Sequence, residues 1–463
     1  MENTTTTTFK HKEINAKHYV AVIGGSVSGS EAVNLLTEQN FKVVVFDMNK
    51  LPYGKLEDGL PNWHHNLRDR QIETINERLN HQNVFFIPNT KIGVDISFDE
   101  LKNDWGFSSV ILANGAWKDR ELPVNEINKF LNNGLIYQNS LIYWFNHKHE
   151  KNYDGPHYEM KNNTLVVGGG LASLDVMKII MIELVQKALK EIKNVAVDML
   201  TLEKKGIDLI LEQFETTLEE LNIIPPTLLY RRNAEDMPLK SPKDDTAENI
   251  EKAKAVSQKL LEKYVEKYMF NFIPCSSPSA FIEKNGKFVG MKFQKMINEN
   301  GKLTKSEETF KLYSELLISS IGSIPEKIES LNYDGDALKL KNNSEYAVYG
   351  YENVFAIGNA VTGKGNIQDS KQHGKQMTEK IINEHLNEDA LEEWLVTYNQ
   401  EIREKTALNV STIINQVDKF TVPSDDTVAA LLKRIKARQE AVGYKDYETW
   451  ISEHLPERVE DMI

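Results

Sequence analysis

Twice in this chain an apolar run breaks into a turn of glycine and small residues and then resumes with helical spacing, once at 18–47 and again at 163–180. In the first copy HYVAVIG reads as a strand, GSVSGS as the turn, EAVNLLTEQN as a helix and FKVVVFD as a second strand. The second copy, NTLVVGGGLASLDVMKII, runs strand, glycine turn, helix. A strand followed by a helix and a parallel strand needs a covered sheet, so two such units on one polypeptide predict an α/β chain with two doubly wound domains.

The turns carry chemistry as well as topology. In VIGGSVSGSEA, Gly24 and Gly29 take the first and third places of G-x-G-x-x-G, and Ser26 stands in the second. The first glycine makes the tight turn, the second lets backbone approach a pyrophosphate, and the third packs helix on strand. Serine is the smallest substitute for the middle role. The following strand ends in Asp47, whose carboxylate can accept from both ribose hydroxyls of an adenosine and repels a 2′-phosphate. In VVGGGLASLDV, Gly168 and Gly170 fill the first two places, Leu171 and Ala172 open the helix, and Ser173 takes the third. Here the next strand, in TLLYRRNAEDMP, ends in Arg231 and Arg232, whose permanently charged forks suit a 2′-phosphate. The first unit therefore predicts a dinucleotide without that phosphate, and the second predicts NADP. Together the units make two Rossmann-like dinucleotide-binding domains.

Composition narrows the chemistry further. The single cysteine, Cys275, excludes a CxxC dithiol relay and a four-thiolate cluster, so any redox work must ride on an organic cofactor. A formal charge of −13 argues against nucleic acid as partner. No run approaches the ~18 to 20 apolar residues of a membrane helix, and the polar start, Met1 to Lys12, lacks a signal-like apolar stretch, so a cytoplasmic protein is expected. His147 and His149 have no further ligands nearby in sequence, His65 reads as a surface residue, and no metal site is expected. Helices are predicted in 185–222 and over 246–268, short strands over 270–318 with turns at Asn285-Gly286 and Asn300-Gly301, and two late strands in LLISSIG and NVFAIGN. Beyond about 386 the pattern is helical, with Leu391, Trp394, Leu395, Tyr398 and Ile402 on one face. Ser424 caps a second stripe through Val428, Leu431, Leu432 and Ile435.

With these elements in order, the chain resembles adrenodoxin reductase and the bacterial ferredoxin-NADP reductases of that type, and more distantly the glutamate synthase small subunit. The likeness is carried by LPYGKLEDGLPNWHHNLRD at 51–69, VILANGA with Gly115, SLIYWFNHKH, LLISSIG, and a weaker echo in GYKDYETW. A glutamate synthase small subunit would need a cysteine-rich segment ahead of the first turn, which the chain lacks.

The resemblance implies an FAD-binding domain in two parts, 15–118 and 323–386, an NADP-binding domain at 119–322, and a helical extension at 387–463. It implies FAD across the first turn, covered by the loop GNAVTGKGNIQDS, with Gly358 near the ribityl and pyrophosphate. Gly365, Asn366 and Ile367 would open a helix whose positive end faces the flavin. Asn359 departs from the family, where related proteins carry tryptophan or, in the broader disulfide reductases, aspartate. His64 falls where the family has a histidine near the flavin, and Asp244 corresponds to an acidic partner. The implied activity is electron transfer from NADPH through FAD to an external one-electron carrier such as ferredoxin. A flavin- and NADP-binding regulatory protein or scaffold, and a flavoprotein oxidase or monooxygenase, remain as alternatives. Candidate basic residues for an acidic carrier are Lys204, Lys205, Lys240, Lys243, Lys364 and Lys371.

Overall fold

The computed structural model describes residues 15–462 apart from 241, 243, 245, 300, 301, 343, 345 and 363–387. Both glycine turns lie at the heart of a parallel sheet. The first sheet contains β1 (Tyr19–Ile23), β2 (Lys42–Phe46), β3 (Val84–Ile87) and β4 (Ser109–Leu112), with helices α1 (Val27–Glu38) and α2 (His65–Leu79) between them. After β4 the chain leaves through a two-residue strand, β5 (Lys118–Asp119).

The second sheet then begins with β6 (Leu135–Tyr137) and α3 (Gln138–His147), followed by β7 (Leu165–Gly168) and α4 (Leu171–Ala188). A helix α5 (Met199–Lys205) precedes β8 (Thr227–Leu229), and α6 (Ala247–Tyr268) precedes β9 (Asn271–Ile273). Three antiparallel strands, β10 (Ser276–Lys284), β11 (Lys287–Glu299) and β12 (Lys302–Tyr313), interrupt the pattern before β13 (Leu317–Ser320). They are longer than the short strands expected from the sequence. Asn285 and Gly286 turn between the first two with positive φ at both residues, as a two-residue hairpin requires.

The return strand β14 (Ser323–Ile324) pairs antiparallel with β5, and β15 (Val354–Ala356) then completes the first sheet. Strand order is β15-β4-β1-β2-β3 in one sheet and β6-β13-β7-β8-β9 in the other, each fully parallel, with the glycine strand central. The chain is therefore an α/β molecule of two Rossmann-like sheets in which the first is completed only after the second is built.

Alternation in β1 explains the layers. Val20 and Val22 enter one core with Ala32, Val33 and Leu36 of α1, while Ala21 and Ile23 enter the opposite core with Phe98 and Leu112. The C-terminal helices α7 (Glu388–Val417), α8 (Asp425–Val442) and α9 (Tyr447–His454) do not stand apart from this sheet. Val410 and Ile413 of α7 and Trp450 of α9 join the α1 core, and Leu431 and Ile435 of α8 join the other. Ser424 caps α8 by accepting from the Thr427 N–H. No helix among the described residues is long and apolar enough to cross a membrane.

Candidate functional site

The first glycine turn is dictated by contact. Gly24 has φ +100°, and a Cβ there would lie 2.6 Å from the Ala113 carbonyl oxygen of the strand beside it. A Cβ at Gly29 would fall 1.8 Å from the Gly24 oxygen, so the third place is where α1 touches the turn. Ser26 ends the turn as the residue before α1, and its hydroxyl donates to the Tyr53 carbonyl at 2.8 Å. The serine in the middle place is thus tied to the segment 51–69. Gly54, at φ +58°, makes room for it, since a Cβ there would stand 2.9 Å from the serine oxygen.

Asp47 is buried at the end of β2, accepting from the Gly25 N–H at 2.8 Å and the Asn49 N–H at 2.9 Å. Burial pushes its carboxyl up to about 6 despite those two bonds, with Asp58 adding to the rise. A buried carboxylate with lone pairs to spare fits ribose hydroxyls. Gly358, at φ +61°, sits so close to α1 that a Cβ would meet Ser28 Oγ at 2.2 Å. Asn359 is exposed and opens a four-residue helix, and Gly115 bends the chain after β4 with φ +64°. Gly365, Asn366 and Ile367 lie outside the described residues, as do Lys243, Lys364 and Lys371.

The second turn is open by contrast. Gly168 is packed, its Cβ position 2.5 Å from the Ser320 carbonyl oxygen, and Gly169 is covered by the Tyr230 ring. Gly170, the residue before α4, would meet nothing within 4 Å. Leu171 and Ala172 behind it are half-buried, and the Ser173 N–H donates back to the Gly170 carbonyl at 2.9 Å. Parallel pairing of β7 with β8 carries Arg231 and Arg232 to the same sheet edge. Arg231 is exposed, Arg232 is half-buried, and neither has an ion-pair partner among the described residues. Two guanidinium groups without an anionic partner among the described residues thus lie at the same sheet edge as the second glycine turn.

Between the turns lies a polar seam that local sequence reading missed. Lys55 Nζ donates to Ser323 Oγ at 2.9 Å and Asn139 Oδ1 at 3.1 Å, joining the segment after Gly54 to β14 and to the start of α3, whose Asn139 N–H donates in turn to Asp119 of β5. Burial pushes Lys55 down to about 8 against the pull of Asp119, and burial pushes Asp119 up to about 6. His147 bridges the same seam lower down, bonded to Asp58 at 3.1 Å and to Glu150. Burial alone would depress it, but the two carboxylates prevail and hold it up to about 9.

His64 is buried in the seam, and the carboxylate facing it is Asp175 of α4, with Oδ1 3.9 Å from Nε2. Asp244, the acidic residue that the resemblance implies, stands just ahead of α6. Its Oδ1 accepts from the Thr246 N–H at 3.0 Å and Asn249 Nδ2 at 2.8 Å, at the start of α6. Asp175 lies in the second turn of the glycine-led helix, and no spacing in the sequence pairs it with His64. His65 is half-buried beside Asp69 and Glu460, close enough to share a cation, but Arg68 is bonded to both carboxylates.

No known protein-family profile matches the chain. Over 105 residues it is 35% identical to the glutamate synthase (NADPH) small chain of Bacillus subtilis, covering 23% of this chain and 20% of that one. Over 165 residues it is 23% identical to the mitochondrial NADPH:adrenodoxin oxidoreductase of Arabidopsis thaliana, covering 35% of this chain and 33% of that one. These matches span a fifth to a third of the relatives' own length. Among solved structures, the oxidoreductase FprA of Mycobacterium tuberculosis superimposes with a TM-score of 0.64 at 17% identity, over 91% of this chain and 90% of the other. FprA in complex with NADPH gives 0.62 at 18% identity over the same shares. The expected likeness therefore extends over nearly the whole chain as a shared fold, and over the shorter stretches as sequence.

Proposed function

We propose that this protein is an FAD-dependent oxidoreductase that takes electrons from NADPH and delivers them to an external one-electron carrier of the ferredoxin type. The observation that carries the reading is the contrast of exit chemistry on two linked glycine turns: a buried carboxylate, Asp47, at one and, at the other, two arginines with no ion-pair partner among the described residues. FAD, when bound, supplies the conversion between hydride and single-electron transfer. The chain's own residues do the rest. Gly24 and Gly29 admit the pyrophosphate, Asp47 holds the adenosine ribose, and Gly358 closes over the N-terminus of α1. Gly170 and the two arginines seat the second nucleotide and choose it by its 2′-phosphate. His64, kept beside Asp175 at the seam, is placed to hold or pass a proton near the reacting rings.

The relatives' names support the nucleotide, since the small chain and the adrenodoxin oxidoreductase are NADPH enzymes by name and FprA is described with NADPH. Supernatant from the heat-denatured, purified protein should contain one FAD per chain, and anaerobic stopped-flow mixing with NADPH should bleach the flavin. Finding FMN or no flavin would sink the cofactor reading. Binding without bleaching would leave a regulatory nucleotide-binding protein. Bleaching followed by rapid reoxidation with oxygen, but not with a ferredoxin, would favour an oxidase.

A further inference from the structure

Lys178 of α4 is 1% exposed, the most deeply buried charge in the second sheet's core. Its Nζ pairs with Glu203 and lies 4.3 Å from the centre of the Trp63 ring, with the Tyr268 ring at 5.3 Å. Glu203 is held in turn, because the Tyr268 hydroxyl donates to its carbonyl oxygen at 2.8 Å. Trp63 comes from the other half of the molecule, in the turn just before α2, and the next residue is His64. Asp175 and Lys178 stand three residues apart on α4 and so share a face, one meeting His64 and the other Trp63. A buried ammonium needs compensation, which Glu203 supplies, and a desolvated cation is drawn to the face of an indole more strongly than to other rings.

We propose that Lys178 is a positioning residue for His64: its buried ammonium, neutralised by Glu203, grips the face of Trp63 and thereby sets His64 against Asp175 at the seam. The catalytic consequence rests on the reading given under Proposed function, whereas the grip itself does not. A core lysine of purely structural use could be exchanged, together with its partner, for a neutral pair of similar volume at little cost. A positioning lysine could not.

The decisive comparison sets Lys178→Arg against the neutral pair Lys178→Met with Glu203→Gln, all in the full-length holoprotein. The neutral pair should keep its flavin and bind NADPH with a Kd within about threefold of the parent, yet reduce flavin at saturating NADPH at least about tenfold more slowly. K178R should restore the rate to within about threefold, since it keeps the charge, the ion pair and the ring contact. Two readouts are independent of turnover. The Trp63 emission, taken as the difference from W63F, should shift in the neutral pair and return in K178R, and amide exchange over residues 62–65 should rise only in the neutral pair. W63L, which leaves the ion pair intact, should show the same slow reduction and decides the matter if the neutral pair does not fold. Parental rates and exchange in the neutral pair or in W63L would overturn the proposal. If the parent is not bleached by NADPH at all, the functional reading fails, while emission and exchange still decide whether Lys178 holds Trp63.

Discussion

The two glycine turns share a grammar and differ in almost every contact. At the first, each place of the fingerprint is filled: Gly24 against Ala113, Gly29 against the Gly24 carbonyl, Ser26 bonded to Tyr53, and Gly358 closing from the end of the sheet. At the second, Gly170 faces open space and the arginines beyond β8 have no anionic partner among the described residues. A nucleotide bound at the first turn would be wrapped by elements far apart in the chain, and one at the second would rest on an open rim. The difference teaches that the same strand–turn–helix can serve a resident cofactor or an exchangeable substrate, according to what packs on it afterwards.

The largest expected effect follows from closing the first turn completely. Gly24→Val puts a branched side chain where backbone already stands 2.6 Å away and forces it to a positive φ. The protein should purify without yellow colour, as absorbance at the flavin bands will show. A retained, stoichiometric flavin would mean that the first turn is not the cofactor's seat. Altering the second turn should be milder and selective. Arg231→Ala and Arg232→Ala each remove one charge-assisted contact, worth on the order of 1.5–3 kcal/mol, so each should raise the NADPH KM by roughly 10- to 100-fold and leave NADH use nearly unchanged. Equal use of both nucleotides by the parent would break the comparison outright.

The seam between the turns gives a pH test. His147 is raised from 6.5 to about 9 by Asp58 and Glu150, so its bridge contributes stability that is fully present below about pH 6.5 and lost as pH rises through about 9. With allowance for the coupling among the three groups, the contribution is about 2 kcal/mol. Denaturant melts of the parent and of His147→Gln should therefore differ most near pH 6 and converge near pH 10. A difference that grows with pH would show that the bridge is not ionic.

Much of this was legible in the sequence because it is local. A glycine at a turn, an acid or an arginine at a strand end, and Ser424 at a helix start are each decided within a few residues. What was not legible depends on how distant elements meet. His64 faces Asp175 because α4 packs against the start of α2, a fact of packing that no spacing encodes. Lys55, Asp119, Asn139 and Ser323 come together only through the β5–β14 ribbon. Of the second C-terminal stripe, Leu431 and Ile435 are buried against the first sheet and Leu432 is exposed, while Val410, Ile413 and Trp450, which the pattern did not single out, fill the core on its other face.

The smallest effect concerns Ser26, the one departure from the glycine fingerprint in the first turn. If the serine merely tolerates the middle place, Ser26→Gly should improve the approach of the pyrophosphate and tighten flavin binding. The structure gives it a positive task instead, since its hydroxyl secures the Tyr53 carbonyl and with it the segment that carries His64. Loss of a single partly buried hydrogen bond costs about 1 kcal/mol, and glycine adds a backbone penalty of about 0.5–1 kcal/mol in the unfolded chain's favour. Ser26→Gly should therefore lower stability by about 1.5–2 kcal/mol and Ser26→Ala by about 1 kcal/mol, with flavin affinity falling in step rather than rising. Equilibrium unfolding of the holoprotein and flavin-release titration measure the two quantities separately. A glycine variant that binds flavin more tightly than the parent would return the first turn to the ordinary fingerprint and remove the tie between Ser26 and the segment at 51–69.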